Sequence, residues 1–190
     1  MARSYDMSKR ARQTAQTREN IIAATERLLA SRLLDDITLR VIAKEAGTTV
    51  QTVLRHMESR DGCFDAVARE VAARVKEQRG QTEHDSIEEA VDALIEHYES
   101  EGRLILNLLA QERDGGAFVA EMMKTGRTFH RRWVRRCFLH YIHRDMQTDI
   151  DALVVATDIY AWKLLRLDLG RSPRAARRVI TNMVKSILET

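Results

Sequence analysis

The stretch that decides the fold runs from Thr38 to Met57 and reads TLRVIAKEAGTTVQTVLRHM. Thr38 is placed to cap a short helix that Gly47 ends, and Thr49 is placed to cap a second short helix. Ala46 and Gly47 are small where the two helices must cross closely. Two short helices joined by such a turn are typical of a helix-turn-helix.

The second short helix has an apolar side and a polar side when its residues are spaced at about 100°. The apolar set is predicted to pack inward and consists of Val50, Val53, Leu54 and Met57. The polar set is predicted to be exposed and consists of Gln51, Thr52, Arg55 and His56. A DNA major groove admits an exposed helix of this kind, and Gln and Arg side chains read the edges of A and G. The pattern predicts a DNA recognition helix.

Helical periodicity extends to both sides of this stretch. It predicts a first helix over 17–32, capped by Thr17, and a long fourth helix from Ser59 to Gly80. The further predicted helices, separated by glycines or polar residues, cover 86–101, 103–113, 117–142, 148–169 and 172–188. No strand-like alternation is present in the first four segments, and the sequence predicts an all-α fold of about nine helices. We expect a basic arm with the helix-turn-helix over 1–59, a connecting helix over 60–80, and a larger helical body over 81–190.

The charge of the chain is unevenly distributed. The 190 residues carry a net charge of +3, whereas residues 1–32 alone hold seven basic and three acidic residues. A basic arm on a near-neutral body indicates an anionic partner, with nucleic acid the commonest, or else a solubilising tail. No apolar run reaches about 18 residues, no signal sequence is evident, and two cysteines make no disulfide framework. These features predict a reduced, cytoplasmic protein without a membrane span.

Residues 17 to about 69 resemble the DNA-binding domain of the TetR (tetracycline-repressor-like) family of bacterial transcription regulators. The matching positions hold Thr38, Ile42, Ala43, Ala46, Gly47, Thr49, Thr52, Val53, His56, Ser59, Arg60 and Asp61. Leu54 departs from the pattern, because the family usually has a Tyr there that commonly touches DNA. Leu54 could contact a thymine methyl or complete the core. Arg60 replaces a Lys and keeps its charge for a phosphate.

The resemblance implies a DNA-binding regulator, a repressor that a small-molecule effector releases from a palindromic operator. The residues expected at the DNA are Thr38, Arg40, Thr49, Val50, Gln51, Thr52, Leu54, Arg55, His56 and Arg60. It also implies a homodimer formed through the eighth and ninth helices, whose apolar residues include Leu153, Val154, Leu164, Leu165, Val179, Met183 and Ile187.

The resemblance further implies a ligand cavity within the body. Its candidate lining residues are aromatic or apolar, and they are Tyr98, Leu108, Met122, Phe129, Trp133 and Trp162. The same residues could equally form an ordinary core. Asp158 interrupts an apolar stretch and is either a polar anchor in that cavity or a paired residue at its rim.

Other interpretations remain open at this stage. The Arg-rich segment 127–144 could be a second nucleic-acid surface or the solvated side of a helix. A metal site is not expected, because the spacing of His130, Cys137, His140 and His143 matches no C-x-x-C or H-E-x-x-H pattern. We expect no cofactor and no enzymatic activity, since nucleophile-elbow, P-loop and dinucleotide motifs are missing. The alternatives are a helical protein–protein interaction module or a small helical enzyme without DNA binding.

Overall fold

The structure is a computed structural model that describes residues 2–80, 86–142 and 146–189, with backbone alone at residues 2–8 and 10. Helices fill these ranges, which contain no β-strand, and the predicted all-α class is confirmed. The helices are α1 Ala2–Leu29, α2 Leu39–Glu45, α3 Val50–Met57, α4 Arg60–Arg79, α5 Ile87–Ala110, α6 Gly116–Phe138, α7 Met146–Ala156, α8 Ile159–Lys163 and α9 Pro173–Leu188. A π-helical turn over Leu164–Asp168 continues α8.

The first helix is longer than the sequence pattern predicts. It begins at Ala2, so that the basic arm is part of α1. Thr17 is not its cap, because the Thr17 hydroxyl donates to the Gln13 carbonyl, 2.8 Å away, inside the helix. The residues before Thr17 include no Pro or Gly, and nothing in them interrupts helical hydrogen bonding.

Gly102 is a packing site and does not end a helix. The two predicted helices over 86–101 and 103–113 are one continuous helix, α5, with Gly102 buried inside it. A Cβ at this position would lie 2.6 Å from the ring of Trp162. A glycine inside a helix costs only about 1 kcal/mol relative to alanine, and here its small size lets an aromatic ring approach the backbone.

Asp158 divides the predicted helix over 148–169 into α7 and α8. Its backbone is extended, and its carboxylate accepts a hydrogen bond of 2.9 Å from the Tyr160 N–H. Asp158 is therefore the N-cap of α8, a position that favours Asp. Its half-exposed carboxylate matches the rim interpretation.

Two apolar clusters organise the packing. The head cluster joins α1–α4 with residues from the end of α5 and the start of α6, namely Leu104, Leu108, Val119 and Met123. The body cluster joins α5–α9 and contains Tyr98, Trp133, Phe138, Leu153, Trp162 and Ile180. The long helices α5 and α6 contribute to both clusters, and α4 packs on α1, α5 and α6. The head therefore rests directly on the body.

Two glycine substitutions test the packing at α5. Gly102→Ala is expected to lower the free energy of unfolding by about 1–3 kcal/mol, because the new methyl group overlaps the Trp162 ring. Gly126→Ala is the matched control in α6, where nothing lies within 4 Å of the new Cβ, and should raise it by about 0.5–1 kcal/mol. Urea unfolding measures both changes. A Gly102→Ala protein as stable as the control variant would contradict this account.

Candidate nucleic-acid interface and the cluster around Arg79

The helix-turn-helix is built by the caps that the sequence predicts. The Thr38 hydroxyl accepts from the Val41 N–H at 3.3 Å, and the Thr49 hydroxyl accepts from the Thr52 N–H at 3.2 Å. Gly47 has a φ of 63°, a left-handed conformation that favours glycine and ends α2. These local interactions fix the angle at which α3 leaves α2.

The exposed face of α3 differs from the prediction most clearly at Leu54, and Thr52 and His56, which were predicted to be exposed, are half-buried. Val53 and Met57 are buried in the head cluster, whereas Gln51 and Arg55 are exposed as expected. Leu54 is 40% exposed, and its predicted inward packing is wrong. At 100° per residue it lies about 80° from the direction midway between Val53 and Met57, too far round to reach the core. Its apolar side chain therefore stands beside Gln51 and Arg55.

The remaining candidate DNA contacts surround this face. Thr38, Arg40 and Thr49 are exposed, and the half-buried residues are Val50, Thr52, His56 and Arg60. Ser59 caps α4 by accepting from the Gly62 N–H at 2.9 Å. The Arg60 guanidinium lies 5.3 Å from the Phe64 ring centroid, which holds its charge at the start of α4. Because α3 packs against α2 and α4, these residues belong to one end of the molecule.

A partly buried ion-pair network joins the head to the body. Arg74 of α4 bonds Glu26 of α1 through Nη2 (2.6 Å) and Glu101 of α5 through Nε (2.8 Å). Glu101 is buried, and burial also raises the pKa of Glu26. The sequence analysis missed this network, because each residue alone resembles an ordinary charge on a helix surface.

The end of α5 also binds the end of α1. The Asn107 amide nitrogen donates to the carbonyls of Leu29 (2.7 Å) and Arg32 (2.8 Å). The Gln111 side-chain oxygen accepts from the Leu34 N–H at 2.8 Å. These bonds satisfy backbone groups that the end of a helix leaves without partners. They also fix α1 against the body at a second place.

The last residue of α4, Arg79, lies inside the body and is 2% exposed. Its guanidinium carbon is 4.2 Å from the Trp133 ring centroid, 5.4 Å from that of Phe129 and 5.8 Å from that of Tyr98. Aromatic faces attract a cation. The structure thus brings three of the predicted cavity residues together around a charge that the sequence analysis did not identify.

A chain of hydrogen bonds leads from Arg79 to α7. An Arg79 Nη2–H donates to Nδ1 of His130 at 2.9 Å, since a guanidinium cannot accept. His130 Nε2 then carries the proton and donates to the Thr157 hydroxyl at 3.2 Å, and that hydroxyl donates to the Leu153 carbonyl at 2.6 Å. Burial and the nearby Arg79 charge lower the pKa of His130 to about 3. Burial, Arg79 and His130 likewise lower the pKa of His97 to about 3.

Of the other three predicted cavity residues, two lie in the head cluster and one lies beside Tyr98. Leu108 and Met122 pack in the head cluster and do not reach the body cluster. Trp162 lies beside Tyr98, with 6.1 Å between ring centroids, and its indole N–H donates to Glu99 at 2.8 Å. The expectation that all of these residues line one cavity is therefore wrong for Leu108 and Met122. The end of α5 and the start of α6 pack in the head cluster, whereas the start of α5 and the end of α6 pack in the body cluster.

The described residues behind the metal-site and second-surface hypotheses lie on α6 or directly after it. Within the described ranges, no group of three His, Cys, Asp or Glu side chains is placed to share a metal ion. His143 and Arg144 lie outside the described residues, and His130 is occupied by Arg79 and Thr157. In the Arg-rich segment, Arg127 bonds Glu112, and Arg136 donates to the Arg79 carbonyl. Arg131, Arg132 and Arg135 are exposed.

The comparisons with known proteins agree with this geometry. Residues 21–67 match the family model of bacterial regulatory proteins, tetR family. A comparison with functionally curated proteins gave no match.

Solved structures share the fold over nearly the whole chain. A transcriptional regulator from Rhodococcus sp. Rha1 is 16% identical, with a TM-score of 0.70 and coverage of 90% of this chain and 96% of that one. A TetR-family transcriptional regulator from Streptomyces coelicolor is 18% identical, with a TM-score of 0.70 and coverage of 92% and 95%. The multidrug binding protein EbrR, complexed with imidazole, is 21% identical, with a TM-score of 0.52 and coverage of 88% and 89%.

Residues 21–67 are therefore similar to the tetR family of bacterial regulatory proteins, and the chain has the fold of solved TetR-family transcriptional regulators. Across the described ranges, no helix combines the length and the apolar character needed to cross a membrane.

The two buried histidines predict a stability that falls with acid. Each is neutral in the native state, whereas an unfolded histidine takes up a proton below about pH 6.5. Stability is therefore lost as pH falls from about 6.5 toward the native pKa of about 3. The slope of the free energy of unfolding against pH approaches about 1.4 kcal/mol per pH unit for each histidine. Urea unfolding between about pH 7 and pH 5, at one protein concentration, measures it.

His97→Gln should reduce that slope by the share of one histidine, because glutamine does not titrate. The slopes of the wild type and of His97→Gln should differ most near pH 5, because an unfolded histidine is almost fully protonated there. A wild-type protein whose stability is constant over this range would contradict the buried neutral histidines.

Proposed function

We propose that this protein is a homodimeric DNA-binding transcriptional regulator, a repressor that a small-molecule effector releases from a palindromic operator in the cytoplasm. The observation that carries the proposal is the exposed row of Gln51, Leu54 and Arg55 on the capped helix α3 of a tetR-type domain. Such a helix fits a major groove, where Arg pairs with guanine, Gln with adenine, and an apolar side chain contacts the thymine methyl. Leu54 is available for that last contact because it is exposed.

The effector part of the proposal rests on α4. This helix begins beside the recognition helix and ends at Arg79 in the body cluster, so that one rigid element joins the two. An effector can weaken DNA binding only if it binds the released conformation more tightly. A shift of α4 would change the position of the head and leave α3 itself unaltered. EbrR, which shares the fold, is named as a multidrug binding protein, and this supports a small-molecule effector here.

The dimer part of the proposal rests on exposed apolar side chains. Leu164 is 52% exposed in the turn after α8, and Val179 and Met183 are exposed on α9. A shallow groove on α9 lies between Val179 and Ile187. Leu153, one of the predicted interface residues, is fully buried in the body cluster and cannot reach a partner. Large apolar side chains exposed close together are typical of a contact surface.

An enzyme and a protein-only module are weaker alternatives. The domain and the fold are those of non-enzymatic regulators. A protein-only module would not need exposed Arg and Gln on α3 together with a basic α1. Salt sensitivity separates the cases, because DNA contacts release counterions and give a steep negative slope of log affinity against log salt.

The first test is selection of bound fragments from a random duplex library, followed by affinity measurements on the operator found. Arg55→Ala is expected to lower operator affinity by about 1–3 kcal/mol if the side chain pairs with a guanine. Arg132→Ala is the matched control, an exposed arginine in the Arg-rich segment of α6, and should leave the affinity unchanged. The selected site should contain two half-sites about 34–36 Å apart.

An affinity for duplex DNA that does not change with salt concentration would refute the proposed DNA binding. The reverse pattern, in which Arg132→Ala weakens binding and Arg55→Ala does not, would transfer the interface to α6.

The second test concerns the dimer. Met183→Glu is expected to convert a dimer into a monomer at about micromolar concentration, because a charge would be buried in an apolar contact. Leu33→Glu is the control, since Leu33 is an exposed apolar residue of the head, between α1 and α2. Analytical ultracentrifugation gives the mass, and circular dichroism checks that each variant is folded. A folded Met183→Glu protein that remains dimeric would place the interface elsewhere.

A further inference from the structure

We infer that the effector is an anion, first of all a carboxylate attached to an apolar group, and that its negative charge pairs with the buried guanidinium of Arg79. The inference rests on the proposed function, because it assigns the chemistry of the effector. It stands on the position of Arg79, its neighbours and the donors that remain unused around it.

Arg79 is a buried cation, and within the ranges 2–80, 86–142 and 146–189 no carboxylate bonds it. Among the described residues, its neighbours are the rings of Tyr98, Phe129, Trp133 and His130, and the Tyr98 hydroxyl also interacts with its guanidinium. Buried charges in proteins are normally paired with an opposite charge, because removal from water is costly. Aromatic faces and one neutral imidazole compensate a guanidinium only in part. The site therefore has an excess positive charge that an anion would neutralise.

Two carboxylates of the neighbouring helices, Glu101 and Asp158, bond groups other than Arg79. Glu101 lies on the same face of α5 as His97 and Tyr98; its Oε1 accepts from Arg74, whereas its buried Oε2 has no hydrogen-bond partner among the described residues. Asp158 follows α7, and its carboxylate caps α8 by accepting from the Tyr160 N–H. The charge of Arg79 thus has no internal carboxylate in bonding contact within the part of the chain that the structure describes.

Unused polar atoms lie beside this charge. Within the described part of the chain, Nε of Arg79 has no hydrogen-bond partner, and neither has Nδ1 of His97, although both atoms are buried. A carboxylate has two oxygens and can accept from Arg79 Nε–H and from a second donor at once. The surrounding rings of Phe129 and Trp133 would contact the apolar part of such a ligand. The set of groups matches an organic anion better than a neutral or cationic compound.

The position of Arg79 explains how an anion would act on the head. Arg79 is the last residue of α4, and its carbonyl accepts from Arg136 of α6 at 2.6 Å. Five residues earlier, Arg74 bonds Glu26 of α1 and Glu101 of α5. A ligand that moves the Arg79 side chain therefore acts on a helix bonded to α1. Displacement of α4 would move the head relative to the body.

The test uses the full-length protein without DNA and two probe pairs, benzoate with benzamide and octanoate with octanamide. Binding is followed by tryptophan fluorescence, since Trp133 lies 4.2 Å from the Arg79 charge, and by thermal shift. At least one carboxylate is expected to bind saturably below about 10 mM, and its amide at least about tenfold more weakly. The inference is overturned if neither carboxylate binds in this range, or if the amides bind as well as the acids.

Substitution of Arg79 gives a second readout. Arg79→Met should weaken carboxylate binding about 10- to 100-fold, the effect of a lost charge-assisted hydrogen bond. Its melting temperature without ligand should be equal to or above that of the wild type, because an unpaired buried charge is removed. Arg79→Lys keeps the charge and should bind carboxylate more weakly than wild type but more tightly than Arg79→Met. Arg69→Met, at an exposed site on the same helix, should bind as wild type does.

A purely structural Arg79 predicts the opposite results. Arg79→Met would then lower the melting temperature, and carboxylate affinity, if any, would be the same in all variants. Unchanged affinity in Arg79→Met overturns the inference.

Operator binding distinguishes this inference from the proposed function. Carboxylates that bind the free protein and leave the operator complex intact would support the anion site and contradict effector release. A protein that binds its operator and dimerises, but binds neither carboxylate, would contradict the anion site alone.

Discussion

Arg74 is bonded to two helices at once, and the position of α4 between head and body depends on those bonds. Its partners Glu26 and Glu101 belong to α1 and α5, and Glu101 is buried. Because Arg74 and Glu26 are partly exposed and Glu101 is buried, the costlier loss is that of the contact between Arg74 and Glu101, which leaves the buried Glu101 charge uncompensated. Small shifts of α4 are therefore tied to shifts of α1 and α5. The hydrogen bonds that the side-chain amides of Asn107 and Gln111 make with the end of α1 and the turn after it limit the directions in which the head can move.

The two ends of α4 differ in chemistry, and that difference suits a helix that transmits a signal. Its start is capped by Ser59 and carries the half-exposed Arg60 beside the recognition helix. Its end places Arg79 among aromatic rings and two histidines of lowered pKa. Packed interfaces tend to have discrete arrangements, so that a local change of charge at one end can select a different position of the whole helix. The reading face of α3 need not change for DNA affinity to change.

The sequence predicts most of the head, because capping and turn chemistry there are local. Thr38, Thr49 and Gly47 each act within a few residues of their own position, and the structure confirms all three. The failures come from residues whose role is decided by distant partners. Gly102 was expected to end a helix, yet the ring of Trp162 needs its small size inside α5. Leu54 lies at the edge of the apolar face, where a helical wheel does not determine exposure.

Arg79 shows most clearly what sequence patterns leave out. An arginine in the last turn of a helix is common, because it interacts favourably with the terminal carbonyls and the helix dipole. Nothing in its sequence neighbours separates that solvated role from a buried one. Its surroundings come from Tyr98 on α5 and from Phe129 and Trp133 on α6. The charge can be located only once these helices are packed together.

The measurement that tests the central claim most directly is the coupling between operator and carboxylate through α4. Operator affinity is measured with and without saturating benzoate or octanoate, and carboxylate affinity with and without operator. Each pair of measurements gives a ratio of the affinity without the other ligand to the affinity with it. Linkage requires the operator ratio and the carboxylate ratio to agree, and our account predicts that each ligand weakens the binding of the other about tenfold or more in the wild type. In Glu26→Gln, where the bond from Arg74 to α1 loses its charge, the ratio should fall toward one while both ligands still bind separately. A wild-type ratio of one, or an undiminished ratio in Glu26→Gln, would contradict the role assigned to α4.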